Sequence, residues 1–350
     1  MTRLSHWLGA AGAMALVGLA TPAAAAGTQA GTTITNTVTV NYKVGGVDQT
    51  QQTASDTFTV DRKVNVTVAE VGTTTTQVSP GQSNAVTTFS VTNLSNATLD
   101  FALTVAQQTG GAGAHSNTDN FDVSNVRVFW DSNNSGGYDS GDAQVAYLDE
   151  LAADTARTVY VVSNVATARV TGDVAVVTLT ATGREGLGVG AQGVALVQTT
   201  TANTANMDTV FADGQGATDA ARDAAFSAKD DYTVLAAALS VTKVSKPISD
   251  PVNGTTNPKL IPGAVVEYCI AVANATGGAT ASSVDLEDVV PTMTTFDSAY
   301  GIKLNGTVTG GVCNSDGTSG GAYANGTVTG QLPSVAAGSA RTLMFRVTIN

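Results

Sequence analysis

Apolar and polar residues alternate with a period of two along much of the chain. From Ile34 to Val44 the apolar residues share one face and threonines occupy the other, and a similar pattern runs from Phe58 to Val68. Such alternation predicts half-buried antiparallel β-strands. Five further candidate strands follow, at Phe89–Val91, Phe101–Val105, Val126–Trp130, Val159–Val162 and Val174–Leu179.

Helical periodicity is weak in this sequence. No long segment has apolar residues at the 3.6-residue spacing of an amphipathic helix. The best candidate is Ala217–Ala228, which we expect to form one or two turns inside a connection. The pattern therefore predicts an all-β fold.

Two segments share the same order of turn, strand and asparagine. Pro80-Gly81 precedes an alternating strand that ends at Asn93, and Pro262-Gly263 precedes one that ends at Asn274. Pro-Gly is a turn signal, and in both cases another alternating strand comes first. We predict two related antiparallel β-sandwich domains, at 71–235 and 236–350, preceded by an N-terminal strand pair within 27–70. The domain boundary is expected near 236–238.

The second domain resembles a known family through four short stretches. They are Leu239–Lys243 (LSVTK), Asn257–Ala264 (NPKLIPGA), Leu286–Pro291 (LEDVVP) and Leu332–Gly338 (LPSVAAG). These resemble the bacterial surface-protein repeat called domain of unknown function eleven, and residues 27–235 are similar to the region that precedes such repeats. The resemblance implies tandem immunoglobulin-like sandwiches on exported or cell-surface proteins. The family has no catalytic residues to transfer.

The start of the chain predicts export. Arg3 is followed by an apolar run from Leu8 to Leu19, which is too short to span a bilayer, and then by the small residues Ala23–Ala26. We therefore interpret residues 1–26 as a signal peptide; the alternative is an apolar N-terminal helix. The mature protein is expected outside a bacterial cell or on its outer surface, with the periplasm as the other destination.

Charge and hydropathy limit the partners. The formal net charge is −12 and only 13% of residues are charged. Nucleic acid is a poor partner for such a chain, because phosphate binding needs a basic patch. No second apolar run reaches the length of a membrane span, so we expect no transmembrane helix in the mature chain.

Residues 131–142 (DSNNSGGYDSGD) form a twelve-residue segment rich in oxygen ligands, with glycine at its sixth position. Ca²⁺ loops place oxygens at alternating positions and a glycine at the sixth, where the chain turns sharply. The predicted Ca²⁺ ligands are Asp131, Asn133, Ser135, Gly137 (through its carbonyl), Asp139 and Asp142. The alternative is a polar hairpin connection. A second cation site is a weaker prediction, from Asp208, Asp213, Asp219, Asp223, Asp230 and Asp231.

The two cysteines, Cys269 and Cys313, are expected to form a disulfide, because an even count in an oxidising compartment favours pairing. Cys269 shares a strand face with Glu267, opposite the apolar residues. The bridge should therefore hold the glycine-rich segment 310–321 over the outside of the sheet. Two separate thiols are the alternative.

The sequence offers no catalytic motif. His115 is the only histidine after residue 26, so neither a His-based triad nor a multi-His zinc site can be assembled, and we expect a solvated loop residue. We therefore predict no enzyme activity. Three functions remain: a structural or adhesive module that binds copies of itself or surface and matrix components, a fibre subunit assembled by strand addition, and, least favoured, a carboxylate-dependent hydrolase.

Overall fold

The computed structural model describes residues 27–350, and the predicted signal peptide at 1–26 lies outside the described residues. Every regular element in this part of the chain is a β-strand, so the all-β prediction is confirmed. The first four strands form a separate hairpin; they are β1 (Thr33–Val40), β2 (Lys43–Val44), β3 (Val47–Asp48) and β4 (Gln52–Thr59).

The first sandwich packs two sheets around one apolar core. Its strands are β5 (Arg62–Val64), β6 (Val66–Glu70), β7 (Thr76–Val78), β8 (Ala85–Asn93), β9 (Leu99–Gln107), β10 (Ser124–Trp130), β11 (Ala143–Gln144), β12 (Tyr147–Leu151), β13 (Ala156–Asn164), β14 (Val174–Gly186), β15 (Gln192–Ala195), β16 (Thr209–Phe211) and β17 (Ala225–Val234). One sheet has the order β11-β10-β13-β8-β6 and the other β12-β9-β14-β17-β7, with β15 beside β14. The pairings are antiparallel except two short parallel ones, β5 with β16 and β7 with β17.

The second sandwich repeats part of this arrangement. Its strands are β18 (Leu239–Ser249), β19 (Val265–Asn274), β20 (Ala281–Val289), β21 (Thr294–Phe296), β22 (Ile302–Gly306), β23 (Val308–Thr309), β24 (Val312–Cys313), β25 (Thr318–Ser319), β26 (Ala322–Ala324), β27 (Thr327–Val335) and β28 (Ala340–Ile349). The sheet β18-β19-β28-β22-β25 faces the sheet β20-β27-β26 across a core of its own. The division at 236–238 stays a prediction.

The predicted internal similarity appears as a shared asparagine clamp. Asn93 ends β8 and Asn274 ends β19, and both side chains are buried. Each side-chain amide donates to two backbone carbonyls, those of Ala97 and Leu151 for Asn93 (2.9 and 2.8 Å), and those of Ala279 and Val335 for Asn274 (2.7 and 3.0 Å). Because a buried carbonyl needs a donor, each clamp ties the two sheets of its sandwich together. The order of strands in the sheets extends this similarity. Five strands of the first sandwich have a counterpart in the second: β8 corresponds to β19, β9 to β20, β10 to β22, β12 to β27 and β13 to β28.

We call these five corresponding strands the shared frame. The two sandwiches differ at one edge of it. In the first, β14 pairs with β9 from Leu99 to Gln107. In the second, the corresponding strand β20 pairs with β27, and no strand among residues 27–350 pairs with its other edge. The neighbouring strand β18 also leaves Val241 and Val244 exposed.

Two local predictions are wrong. The alternation from Phe58 to Val68 is not one strand, because the chain leaves the N-terminal hairpin at Val60 and enters the first sandwich, where Val64, Val66 and Val68 are buried in the core. The segment Ala217–Ala228 is not helical. Asp219 and Asp223 accept backbone N–H bonds there and form turns, which compete with helix formation, and β17 then begins at Ala225.

The disulfide between Cys269 and Cys313 is present, with Cα atoms 6.5 Å apart. Cys269 lies in β19 but outside the core cluster, which contains its neighbour Ile270. The bridge therefore holds the short hairpin β23–β24 against the outer face of the sheet, as the strand alternation predicts.

Candidate cation sites and the exposed strand pair

Residues 131–142 connect two antiparallel strands of the same sheet. Strand β10 ends at Trp130, and β11 returns so that Ala143 pairs with Trp130. The Asp131 N–H still donates to the carbonyl of Thr158 in β13 (3.0 Å), so the first residue of the loop is held by the sheet. The loop therefore starts from a fixed point, as a preformed ligand site requires.

An aromatic residue anchors the loop to the outer face of the sheet. Tyr138 packs edge-to-face on Phe129 and on Tyr160, with ring centroids 5.0 and 6.0 Å away. Phe129, Tyr160 and Val162 form a small apolar cluster separate from the main core. Tyr138 thus attaches the middle of the loop to the sheet. The strand pattern did not predict this role for Tyr138.

The first carboxylate organises the turn. The two oxygens of Asp131 accept hydrogen bonds from the N–H groups of Ser135 and Gly136, at 2.9 and 3.0 Å. Gly136 has a φ of +80°, a left-handed conformation that non-glycine residues seldom adopt. The glycine at the sixth position thus turns the chain around the carboxylate at the first position.

The remaining predicted ligands form a second group of contacts. The amide of Asn133 donates to Asp139 (3.0 Å), Asp142 accepts from the Asp139 N–H (2.8 Å), and the Ser135 hydroxyl donates to the carbonyl of Gly137 (2.8 Å). One carboxylate oxygen of Asp142 is buried without a hydrogen-bond partner. The loop thus has one unsatisfied anionic oxygen available for a cation.

The three loop carboxylates act on a single buried phenol. Burial raises the pKa of Tyr160 to about 12, and the charges of Asp131, Asp142 and Asp139 add to the increase. The N–H of Gly141 leads the contacts that lower the pKa of Asp139. The carboxylates therefore surround one region of negative potential, although they are not close enough to form one of the compact ligand groups described next.

Two compact groups of ligand atoms occur in the described chain, each with its atoms within 4.8 Å of one another: Glu70, His115 and Asp230, and Asp100, Asp149 and Glu150. In the second group the carboxylates accept backbone N–H bonds from Gly188, Gly190 and Gly193, all at 2.7 or 2.8 Å. This second group therefore acts as an anchor for the turn between β14 and β15.

The prediction that His115 is solvated is wrong. Its side chain is 16% exposed, and its two ring nitrogens lie 3.1 Å from Glu70 and 3.3 Å from Asp231. Burial lowers the pKa of His115, but the adjacent Asp231 carboxylate and the charges of Glu70 and Asp230 outweigh it, so the pKa is raised. Sequence spacing could not reveal this pairing, because Glu70, Asp230 and Asp231 all lie far from His115 along the chain.

The six acids of the weaker second prediction separate into local contacts. Asp208 accepts from Thr204, Asp213 from Asp223 and Ala224, and Asp219 from Gly216. Only Asp230 and Asp231, adjacent in β17, reach a common cluster, and their partners are Glu70 and His115 rather than the other four acids.

The N-terminal strand pair is exposed on both faces. Strand β1 pairs with β4 over eight residues, from Thr33 opposite Thr59 to Val40 opposite Gln52. Val38 and Phe58 lie on the same face and are 55% and 57% exposed. The backbone bonds between Gly31 and Val60 (2.9 Å) and between Val60 and Thr32 (2.8 Å) close the base of the pair.

No protein-family model and no curated protein sequence matches the chain. Among solved structures, BspA_C_mut is 14% identical with a TM-score of 0.31, covering 81% of this chain and 90% of that one. The T6 backbone pilin of Streptococcus pyogenes serotype M6 is 10% identical with a TM-score of 0.22, covering 82% of this chain and 54% of the pilin. The collagen adhesin CNA of S. aureus is 14% identical with a TM-score of 0.20, covering 83% and 84%. Values this low carry no argument about function.

Proposed function

We propose that the chain is an exported structural or adhesive protein of a bacterial surface, with tandem immunoglobulin-like sandwiches and no catalytic role. The observation that supports this best is the strand pair β1–β4, whose face bearing Val38 and Phe58 is open to solvent. Exposed apolar faces of this kind mark interaction sites. The resemblance of residues 239–350 to surface-protein repeats supports the same function. None of the elements described for residues 27–350 is a helix able to cross a membrane.

The test compares surface attachment of the complete protein with that of two variants. Deletion of residues 33–59 removes no residue of either apolar core, so the sandwiches are expected to remain folded. We expect this deletion and Phe58→Ser to reduce attachment. The control is Thr37→Ala, on the opposite face of the pair. Equal attachment by all four proteins would contradict the proposal.

The proposal also includes calcium in the loop 131–142. The carboxylate of Asp131 at the centre of the turn and the unpartnered oxygen of Asp142 support it. These residues, with Asn133, Asp139 and the carbonyl of Gly137, are oxygen donors of the type that Ca²⁺ prefers. The ion would join the two ends of the loop, and its role would be to stabilise the fold.

A fibre subunit is the second candidate, and the exposed strand pair β1–β4 favours it. A strand offered by one chain can pair with an open sheet edge of another. Strand β1 has eight residues, pairs with β4 and contributes nothing to either apolar core, so it can be donated to a second copy without opening a sandwich.

Assembly can be measured on residues 27–350. The fibre proposal predicts oligomers whose size grows with protein concentration in light scattering, and filaments in negative stain. Deletion of residues 33–59 should give a monomer at every concentration. If residues 27–350 without the deletion stay monomeric at high concentration, strand addition is excluded and the structural or adhesive role remains.

A further inference from the structure

The cluster of Glu70, His115 and Asp230 brings together three distant parts of the first sandwich. Glu70 is the last residue of β6, Asp230 lies in β17, and His115 lies in the loop between β9 and β10. One ligand atom from each lies within 4.8 Å of the other two. Strands β6 and β17 belong to different sheets, so the cluster lies where the two sheets meet.

Asp231 fixes the position of the histidine. One oxygen of its carboxylate accepts the N–H groups of Ala114 (2.9 Å) and His115 (3.1 Å) and lies 3.3 Å from the Nδ1 atom of the imidazole. The Asp231 side chain is fully buried, which makes this a rigid support. The Nε2 atom then faces Glu70, at 3.1 Å. The Nδ1 atom makes no hydrogen bond to residues 27–350 in this geometry, and metal-binding histidines are commonly oriented by a carboxylate at this position.

The charges in the cluster do not balance. Three carboxylates, from Glu70, Asp230 and Asp231, surround one imidazole, and no lysine or arginine among residues 27–350 forms an ion pair with them. One oxygen of Asp231 is also buried without a hydrogen-bond partner. Buried charge of one sign is normally compensated by a partner or a metal ion.

The donor set indicates which cation fits. Zn²⁺ accepts both imidazole nitrogen and carboxylate oxygen in four-coordinate sites, whereas Ca²⁺ takes six to eight oxygen ligands. The geometry points to a Zn²⁺-class site formed by Glu70, His115 and Asp230, with Asp231 as the positioning residue. The ion would connect the β9–β10 loop to both sheets. This site is separate from the loop 131–142 and does not depend on the proposed function.

The imidazole of His115 can serve as a spectroscopic probe of this site. The only histidines are His6 and His115, so residues 27–350 contain a single imidazole. Nuclear magnetic resonance of labelled histidine therefore gives one set of ring signals. Titration with ZnCl2 should shift these signals and saturate at one ion per chain, and CaCl2 at the same concentration should not reproduce the shift.

Calorimetric titration of variants with ZnCl2 identifies the ligands. His115→Asn, Glu70→Gln and Asp230→Asn should each reduce the affinity by more than the about 10–100-fold typical of residues that only position a ligand. Asp231→Asn should reduce it within that range. The matched control is Asp149→Asn, from the other compact group, which should bind as the unchanged protein does. Circular dichroism shows whether each variant is folded.

Two results would overturn the inference. One is a histidine signal in the unchanged protein that does not move on addition of ZnCl2 to millimolar concentration. The other is equal affinity of the unchanged protein and a folded His115→Asn variant, which would place the bound zinc elsewhere. Because the first measurement uses the unchanged protein, a variant that fails to fold cannot obscure the answer.

Discussion

Replacement of Asp131 by asparagine tests the calcium proposal most directly. Asparagine keeps one oxygen to accept the N–H of Ser135 or Gly136 but removes the negative charge. Alanine is a poorer choice, because it also removes both hydrogen bonds in the absence of calcium, each worth about 1.5–3 kcal/mol when the acceptor is charged. Any decrease in calcium-induced stabilisation in Asp131→Asn is therefore due mainly to the missing negative charge of the carboxylate.

The size of the effect follows from mass action. Extracellular calcium loops bind with dissociation constants of about 10⁻⁴–10⁻³ M. At about 2 mM free Ca²⁺, such a site stabilises the folded state by about 0.6–1.8 kcal/mol. The first sandwich has strands from Arg62 to Val234, and a domain of this size changes its melting temperature by about 2–4 °C for each kcal/mol, so we expect an increase of about 1–7 °C.

Tryptophan fluorescence is a suitable assay. The chain has two tryptophans, Trp7 and Trp130, so residues 27–350 contain only Trp130, immediately before the loop. Thermal unfolding followed by its emission therefore reports on the first sandwich. Asp131→Asn should lose most of the calcium shift, while Asp122→Asn, an exposed acid of the same sandwich, should keep it. Identical melting curves with calcium and with chelator in the unchanged protein would mean that the loop is a polar hairpin connection only.

Two further predictions concern stability, and a third concerns export. Asn93→Ala and Asn274→Ala should each destabilise their own sandwich by about 2–5 kcal/mol in denaturant unfolding, because two buried carbonyls lose their donors, whereas exposed Asn36→Ala should have almost no effect. Hydrogen bonds from Asn253 lead the causes that lower the pKa of Asp250, so its contribution is present above the pKa of an unfolded aspartate and lost as the pH falls. Acid titration of Asp250→Asn should therefore show a weaker loss of stability below about pH 4 than the unchanged protein, and equal losses would exclude this role. Mass spectrometry of the exported protein should find a chain that begins near Gly27, and an intact Met1 would contradict the signal peptide.

Strand alternation predicted the main elements because each sheet has one buried face. In β8 the residues from Ala85 to Asn93 alternate between buried and partly exposed without interruption. The same pattern gave a wrong prediction at Phe58–Val68. There the hairpin strand β4 is followed by β5 and β6 of the first sandwich, and the period-two alternation continues across the boundary. Only the backbone bonds of Val60 to Gly31 and Thr32 show the boundary, and they depend on the folded chain.

The candidate sites were predictable only where their residues are close in sequence. The loop 131–142 is visible because its oxygens follow one another along the chain. The cluster around His115 requires Glu70 and Asp230 to approach it from different sheets, which depends on strand order. Local spacing therefore identifies a loop site but not a site between sheets.

The shared frame relates the loop 131–142 to the disulfide. In the first sandwich, the connection from β10 to β12 contains residues 131–142, and Tyr138 packs it on the outer face of the sheet. In the second sandwich, the corresponding connection from β22 to β27 contains Cys313, which is bonded to Cys269 on the same outer face. The same connection is therefore held down in both sandwiches, covalently in one and by the carboxylate loop in the other.

This correspondence predicts that calcium and the disulfide act on different unfolding transitions. The disulfide closes a loop with a sequence separation of 44 residues, for which chain entropy gives about 4 kcal/mol. Calorimetry should show that a reductant lowers the transition of the second sandwich alone, and that a calcium chelator lowers only the transition followed by Trp130 emission. With both reagents the two decreases should add, because distant sites are energetically independent. A chelator that lowers both transitions equally would show that calcium is not specific to the loop 131–142.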